Sequence, residues 1–208
     1  MELKMLSINK QFIRLTLLIC ILFNLTGCAI IGIATTATTG MMIAEERTTG
    51  DIIDDNLIKT KIKNELFKTD FNNLFAKVDV NSYEGRVMLT GTVTEQKYMD
   101  EAVKISWSIK GVKEVINEIQ ISTQPQSNKV MDSWLTTQVK IKFLLNKELQ
   151  SVNYTIEVHN KVVYLLGVAQ NQNEIDLALQ IASKTKGVVK VVNHIIIKGD
   201  IRRQEGIY

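Results

Sequence analysis

Few side chains in this sequence could carry covalent or metal chemistry: among its 208 residues there are two Cys and two His. His159 falls in a short polar turn and His194 in an apolar run, with no Cys or acidic cluster at ligand spacing. Solvated or edge histidines fit better than a metal pair. No G-x-S-x-G, H-E-x-x-H or phosphate-cradling glycine loop occurs. The adjacent carboxylates Asp54 and Asp55 stand ahead of apolar residues at i, i+3, i+4 spacing, where helix capping is a better reading than acid–base catalysis. There remains the thiol of Cys28. It follows Leu25-Thr26-Gly27 at the end of an uncharged apolar run, residues 15–25, itself preceded by a polar and basic segment. That run has the length of the apolar core of a secretory signal. A thiol at such a boundary suits modification, not turnover, and no catalytic activity and no cofactor are expected.

Leu25-Thr26-Gly27-Cys28 resembles the lipobox of bacterial lipoproteins, with an aliphatic residue, two small residues and the Cys. The resemblance implies that Cys28 takes a diacylglycerol thioether, that the preceding peptide is removed and that the new amine is acylated. Each buried CH₂ of such chains contributes about 0.8 kcal/mol, so several acyl chains hold a protein on a bilayer. Ala29 after the Cys, in place of an Asp retention signal, implies delivery to the outer membrane. The alternative is an uncleaved signal anchor, because no charge occurs from Leu15 to Ala44 and about 20 apolar residues span a bilayer. Thr35, Thr36, Thr38, Thr39 and Gly40 dilute the second half of that run. Both readings place the body of the chain outside the cytoplasm. On the first, Cys20 leaves with the signal and Cys28 is consumed by lipid, so no exported disulfide is expected.

Charge excludes one broad class. Of the formal net charge of +3, Lys4, Lys10 and Arg14 against Glu2 put +2 into the first 27 residues. A near-neutral body lacks the basic stripe that displaces phosphate counterions, so no nucleic-acid partner is expected.

The remainder of the chain is a duplication. Residues 111–121 (GVKEVINEIQI) lie over residues 187–197 (GVVKVVNHIII) at an offset of 76, sharing G-V-x-x-V-x-N-x-I-x-I. The same offset pairs Gly91 with Gly167, Ala102 with Ala178 and Ile105 with Ile181. Upstream, an offset of 77 aligns Asp55, Ile58, Thr60, Ile62, Lys63 and Leu66 with Asp132, Leu135, Thr137, Val139, Lys140 and Phe143. A small insertion near residues 81–84 is expected to absorb the change of register. Residues 122–129 (STQPQSNK) join the copies and hold the one Pro, too polar to pack.

Each copy reads as the same series of elements. Asp54 or Asp55, and Asp132 or Ser133, are expected N-caps of a first amphipathic helix. Alternating residues 78–80 and 87–89, and 156–158 and 162–166, predict hairpins turning at Tyr83-Glu84-Gly85 and His159-Asn160-Lys161. Residues 95–109 and 171–186 predict second helices stopped by Gly111 and Gly187. A β-branched strand closes each copy. Gly91 and Gly167 are expected to mark close backbone approach beneath the second helix. The fold class is α+β: two tandem α-β-β-α-β units, each a three-stranded mixed sheet with two helices on one face.

The Gly-x-Val/Ala strand ends at Gly91 and Gly167, the Gly-Val-x-x-Val-x-Asn closing strand and the α-β-β-α-β order resemble BON domains, named for bacterial OsmY and nodulation proteins. Arg47-Thr48-Thr49-Gly50 followed by Asp54-Asp55 fits the start of the first. The resemblance covers roughly residues 45–198. It implies binding of anionic phospholipid, support of envelope integrity and enrichment at division sites, with envelope or division proteins as further partners and no small-molecule substrate.

The duplication supplies an internal control on where binding occurs, because core positions should be apolar in both copies. Leu135, Val139 and Phe143 share one helical face and match Ile58, Ile62 and Leu66, so that face is core. Trp134, Ile141 and Leu145 form a second stripe about 120° away, with Leu144 on its border. The first copy has Leu57, Asn64 and Lys68 at the stripe positions, so only the second copy is expected to keep this face apolar. An exposed Trp flanked by aliphatic and basic residues suits the interfacial zone of a bilayer. Residues 51–124 hold 10 basic and 12 acidic residues, net −2, whereas 131–199 hold 8 and 5, net +3. Lys140, Lys142 and Lys147 lie on or just beyond the candidate helix. In tandem lipoprotein members of the resembling family the matching helix and its Trp contact lipid, which implies that role for Trp134.

These readings give a signal over 1–27, a lipidated tether over 28–50, BON domains over 51–122 and 131–199, a linker over 123–130 and a tail over 200–208. The expected protein is non-catalytic, anchored through Cys28 to the outer membrane and facing the periplasm. Its expected lipid-binding residues are Trp134, Ile141, Leu144, Leu145, Lys140 and Lys142. Two alternatives stand beside it: the Trp134 face packs against the first copy, or it docks an envelope protein.

Overall fold

The structure, a computed structural model, describes residues 48–124 and 128–204. The signal, the lipobox with Cys28 and most of the tether lie outside the described residues, as does Pro125. The first copy runs α1 (Thr49–Thr69), a π-helical turn (Phe71–Phe75), β1 (Val78–Tyr83), β2 (Arg86–Val93), α2 (Gln96–Ser108) and β3 (Glu114–Ile121). The second runs α3 (Lys129–Leu145), a 3₁₀ turn (Ser151–Asn153), β4 (Tyr154–His159), β5 (Val162–Ala169), α4 (Gln172–Ser183) and β6 (Lys190–Ile197), and α5 (Ile201–Gln204) follows. In each sheet the central strand pairs antiparallel with the first and parallel with the third, in the order β1-β2-β3 and β4-β5-β6.

The first helices begin earlier than the acidic pairs suggest. Thr48 caps α1: its Oγ1 accepts from Asp51 N at 3.2 Å while Asp51 Oδ2 accepts from Thr48 N at 3.0 Å, a reciprocal box that satisfies two otherwise orphan donors. Asn128 Oδ1 caps α3 by accepting from Met131 N at 3.1 Å. Neither Asp54 nor Asp55, and neither Asp132 nor Ser133, is an N-cap. Asp55 and Asp132 are buried within their helices, 4% and 5% exposed, because each clamps the hairpin turn of its own copy. Asp55 accepts from Ser82 Oγ at 2.6 Å, Glu84 N at 2.7 Å and Gly85 N at 2.9 Å. Asp132 accepts from Asn160 N at 3.0 Å and Lys161 N at 2.9 Å. The clamp holds turns whose residues Glu84, Asn160 and Lys161 have positive φ, a conformation that disfavours a side chain.

Three other expectations are revised. The second helices end at Ser108 and Ser183, short of Gly111 and Gly187. Those glycines sit in the following turn at φ 98° and 100°, where a Cβ would come within 3.2 Å of Ile58 and 3.1 Å of Leu135, the matching core residues of the first helices. At Gly91 and Gly167 a Cβ would strike the carbonyl oxygens of Lys77 and Asn153, so the close approach is to the chain entering the neighbouring strand, not to the second helix. Finally, the register change lies between helix and first strand, since Val78 and Tyr154 already pair with Gly91 and Gly167. The extra residue of copy one falls where it forms the π-helical turn and copy two a 3₁₀ turn, the usual structural trace of a one-residue insertion in helical chain.

Each copy closes its own core. Ile58, Ile62 and Leu66 pack with Val78, Val80, Val87, Leu89 and Ala102, and Leu135, Val139 and Phe143 with Tyr154, Ile156, Val163, Leu165 and Ala178. A third core joins the copies: Tyr83, Met88 and Ile116 meet Tyr164, Leu166, Val168 and Ile196. The helix-free faces of the two sheets therefore pack together, which is why β2 and β5 are buried on both sides. At the edges of this interface Asn81 Nδ2 donates to Glu157 Oε2 at 3.2 Å, and His194 Nε2 lies 2.8 Å from Glu118 Oε1. Both pairs join equivalent positions of the repeat, as contacts across a two-fold axis do. The repeated Asn of the closing strand also finds its reason: Asn117 and Asn193 Oδ1 accept from Ile119 N at 3.1 Å and Ile195 N at 2.9 Å.

Candidate functional site

Helix α3 carries the candidate face. Leu135, Val139 and Phe143 are buried to 1% exposure or less, and this packing fixes which side of the helix points away. Trp134 is 48% exposed, Ile141 45%, Leu144 61% and Leu145 75%. Val130 and Met131, exposed at the start of the helix, extend the stripe by one turn. Because the copies meet through their sheets, this side of α3 is not used in the contact between them, and the reading in which Trp134 packs against the first copy does not hold.

Lys140 and Lys142 are both exposed beside the stripe. Lys142 Nζ donates to Thr185 Oγ1 at 3.1 Å, which ties its ammonium to the turn after α4. Lys147 follows in the exposed turn after α3.

The contrast between copies is narrower than the sequence suggests. At the positions of Val130, Met131, Trp134, Ile141 and Leu145, α1 has Ile53, Asp54, Leu57, Asn64 and Lys68, and Ile53 and Leu57 are exposed. The stripe is thus interrupted in copy one, not absent. Copy one also exposes an aromatic knot. Phe67 meets Phe71 edge-on at 5.5 Å and Phe75 at 5.3 Å, and Phe71 stacks on Phe75 at 5.5 Å. Phe67 and Phe71 are each about half exposed, and Lys63 Nζ lies 5.1 Å from the Phe75 ring centre. Their recurrence every fourth residue was the available signal.

The groups that could do chemistry are engaged structurally. His159 Nε2 lies 2.7 Å from Thr92 Oγ1 across the interface, and burial pushes its pKa below the ordinary value. Burial, reinforced by the Asp79 carboxylate, raises the pKa of Glu157. Burial lowers that of Lys63, against the opposing effect of Asp79 at 3.6 Å. Among the described residues no group of three or more His, Cys, Asp or Glu is placed to hold a metal ion, and no helix is long and apolar enough to cross a membrane.

The family model for the BON domain matches residues 54–123 and 131–199. The chain is 33% identical over 180 residues to the outer membrane lipoprotein DolP of Haemophilus influenzae, covering 86% of this chain and 93% of that protein. It is 36% identical over 148 residues to a protein encoded in the gshII 5′ region of Anaplasma centrale, covering 70% and 96%. It is 27% identical over 155 residues to the 21 kDa hemolysin of Actinobacillus pleuropneumoniae, covering 73% and 79%. Two matched segments in tandem, folded into the same helix-strand-strand-helix-strand unit, place this chain in the BON-domain family.

Proposed function

We propose that this protein is a non-catalytic outer-membrane lipoprotein, anchored through Cys28 and facing the periplasm, that binds anionic phospholipid through α3 of its second BON domain. Its role on this reading is to support envelope integrity, including at division sites. The observation that carries the proposal is the exposed stripe of Val130, Met131, Trp134, Ile141 and Leu145 on a helix whose opposite side is fully committed to the core. An indole on such a stripe enters the interfacial zone with its ring among acyl chains and its N–H toward water. Lys140, Lys142 and Lys147 add about 1 kcal/mol each near an anionic surface, enough to favour anionic over neutral lipid without serving as an anchor alone. Similarity to a relative named as an outer membrane lipoprotein supports the location and the anchor.

Trp107 is the other tryptophan, so Trp107→Phe leaves Trp134 as the reporter. With vesicles of phosphatidylglycerol and phosphatidylcholine, Trp134 emission is expected to shift to the blue and become protected from acrylamide quenching. Unchanged emission at saturating lipid, together with a crosslinked envelope protein on this face, would favour a protein-docking role instead.

A further inference from the structure

A cleft of about 460 Å³ opens where the connector of copy one meets the start of α3 and the end of β4. A recess of about 220 Å³ adjoins it, and Asp79, Lys129 and His159 line both. The lining carries charge of both signs. Lys77 and Lys129 stand on the cleft wall, and Lys129 Nζ donates to Ala76 O at 3.4 Å. Asp79, which also has Lys63 Nζ at 3.6 Å, and Glu157, from within the recess, supply carboxylates, while the third carboxylate there, Asp132, is taken up by the Asn160 and Lys161 amides. His159, held against Thr92 and with its pKa lowered by burial, adds a polar ring. Asn73, Thr94 and Ser122 complete a wall of neutral hydrogen-bonding groups.

Such a lining disfavours a simple ion of either sign. A pure anion drawn to the two lysines faces three carboxylates, and a pure cation drawn to the carboxylates faces the lysines. A molecule carrying a phosphate and a primary ammonium a few bonds apart satisfies both poles at once. We propose that the cleft between the copies binds a zwitterionic phosphoamine, the chemistry of an ethanolamine phospholipid headgroup, with its phosphate against Lys77 and Lys129 and its ammonium against Asp79 and Glu157. Burial and Asp79 together hold the Glu157 pKa above its ordinary value, a penalty that a bound ammonium relieves. Lys129 opens the helix that bears Val130, Met131 and Trp134, so the cleft is close to the start of the apolar stripe. The proposal nonetheless stands on residues separate from the stripe.

All three cores lie within residues 58–196, so a chain starting at Ala29 retains them. Titration of that chain with glycerophosphoethanolamine, followed by the His159 ring and the Thr92 and Lys129 amide resonances, is expected to give saturable shifts. Lys129→Ala and Asp79→Asn should each weaken binding about tenfold, with the rest of the amide spectrum reporting that the fold is kept. Inorganic phosphate, ethanolamine and glycerophosphoglycerol should bind about tenfold more weakly or less. No shift at His159 with the zwitterion, or equal shifts with phosphate or glycerophosphoglycerol, would overturn the proposal. Neutral vesicles with and without ethanolamine lipid identify the source: the same shifts on the lipid assign a membrane headgroup, and shifts from the free compound alone assign a small solute. Binding of α3 to phosphatidylglycerol vesicles free of ethanolamine lipid is scored separately, so either reading can fail without the other.

Discussion

Asp132→Ala removes the clamp that joins α3 to the β4–β5 turn. The carboxylate is 5% exposed and accepts from Asn160 N at 3.0 Å and Lys161 N at 2.9 Å. Hydrogen bonds to a charged partner contribute about 1.5–3 kcal/mol each. Lys161 is exposed and Asn160 partly so, so water can reach the vacated amides and the lower end of that range applies. The loss is then about 3 kcal/mol, a large share of the 5–15 kcal/mol typical of a folded domain. For a unit of this size it should lower the melting temperature by on the order of 10 °C or more. Asp132→Asn keeps one neutral acceptor and should fall between wild type and Ala. Asp55→Ala, which gives up bonds from Ser82, Glu84 and Gly85, should be the more severe. Urea unfolding followed by circular dichroism measures all three. Unfolding of Asp132→Ala within about 0.5 kcal/mol of wild type, the range of an ordinary surface substitution, would refute the clamp.

Gly167→Ala drives a methyl into the Asn153 carbonyl at φ 154°, and is expected to destabilise by about 3 kcal/mol or to prevent accumulation of folded protein. A melting temperature equal to that of wild type would show that the strand can shift aside. His159 also gives stability a pH dependence of fixed sign. Because burial lowers its folded pKa below the ordinary 6.5, the unfolded chain binds the proton more tightly, and stability falls as pH drops through 6.5 toward the folded value. Glu157, whose folded pKa is raised above the ordinary 4.5, works oppositely, gaining stability on acidification. The difference between wild type and His159→Gln isolates the histidine: the variant should lose less stability between pH 7 and pH 5, and parallel curves would contradict the assignment.

Much of the fold is legible because periodicity encodes it directly. Ile58, Ile62 and Leu66 and their matches Leu135, Val139 and Phe143 repeat at helical spacing, and a repeat that conserves both spacing and type identifies the buried face twice. The meeting of the two sheets is less legible. It depends on reading residues 87–89 and 163–166 as strands apolar on both sides, whereas a strand with one solvated face alternates. The roles of Asp55 and Asp132 were hidden for a different reason: an acidic residue near a helix start fits a cap locally, and only the tertiary position of the hairpin turn reveals the stronger claim on its oxygens. The insertion was misplaced because sequence register changes are silent about which loop absorbs them. In the candidate site, the outward stripe on α3 follows from helical angle alone. The aromatic knot of Phe67, Phe71 and Phe75 does not, because a cap at Asp70 and a π-helical turn interrupt the helix between its members.

The central claim, that α3 and not its sister helix α1 meets lipid, is tested most directly by flotation of the chain starting at Ala29, which lacks any acyl anchor. Wild type should rise with vesicles containing phosphatidylglycerol and not with phosphatidylcholine alone. Trp134→Glu should stay at the bottom of the gradient, while Leu57→Glu, the same change at the matching position of α1, should float as wild type does. Flotation of Trp134→Glu equal to wild type, or its loss in Leu57→Glu alone, would contradict the account.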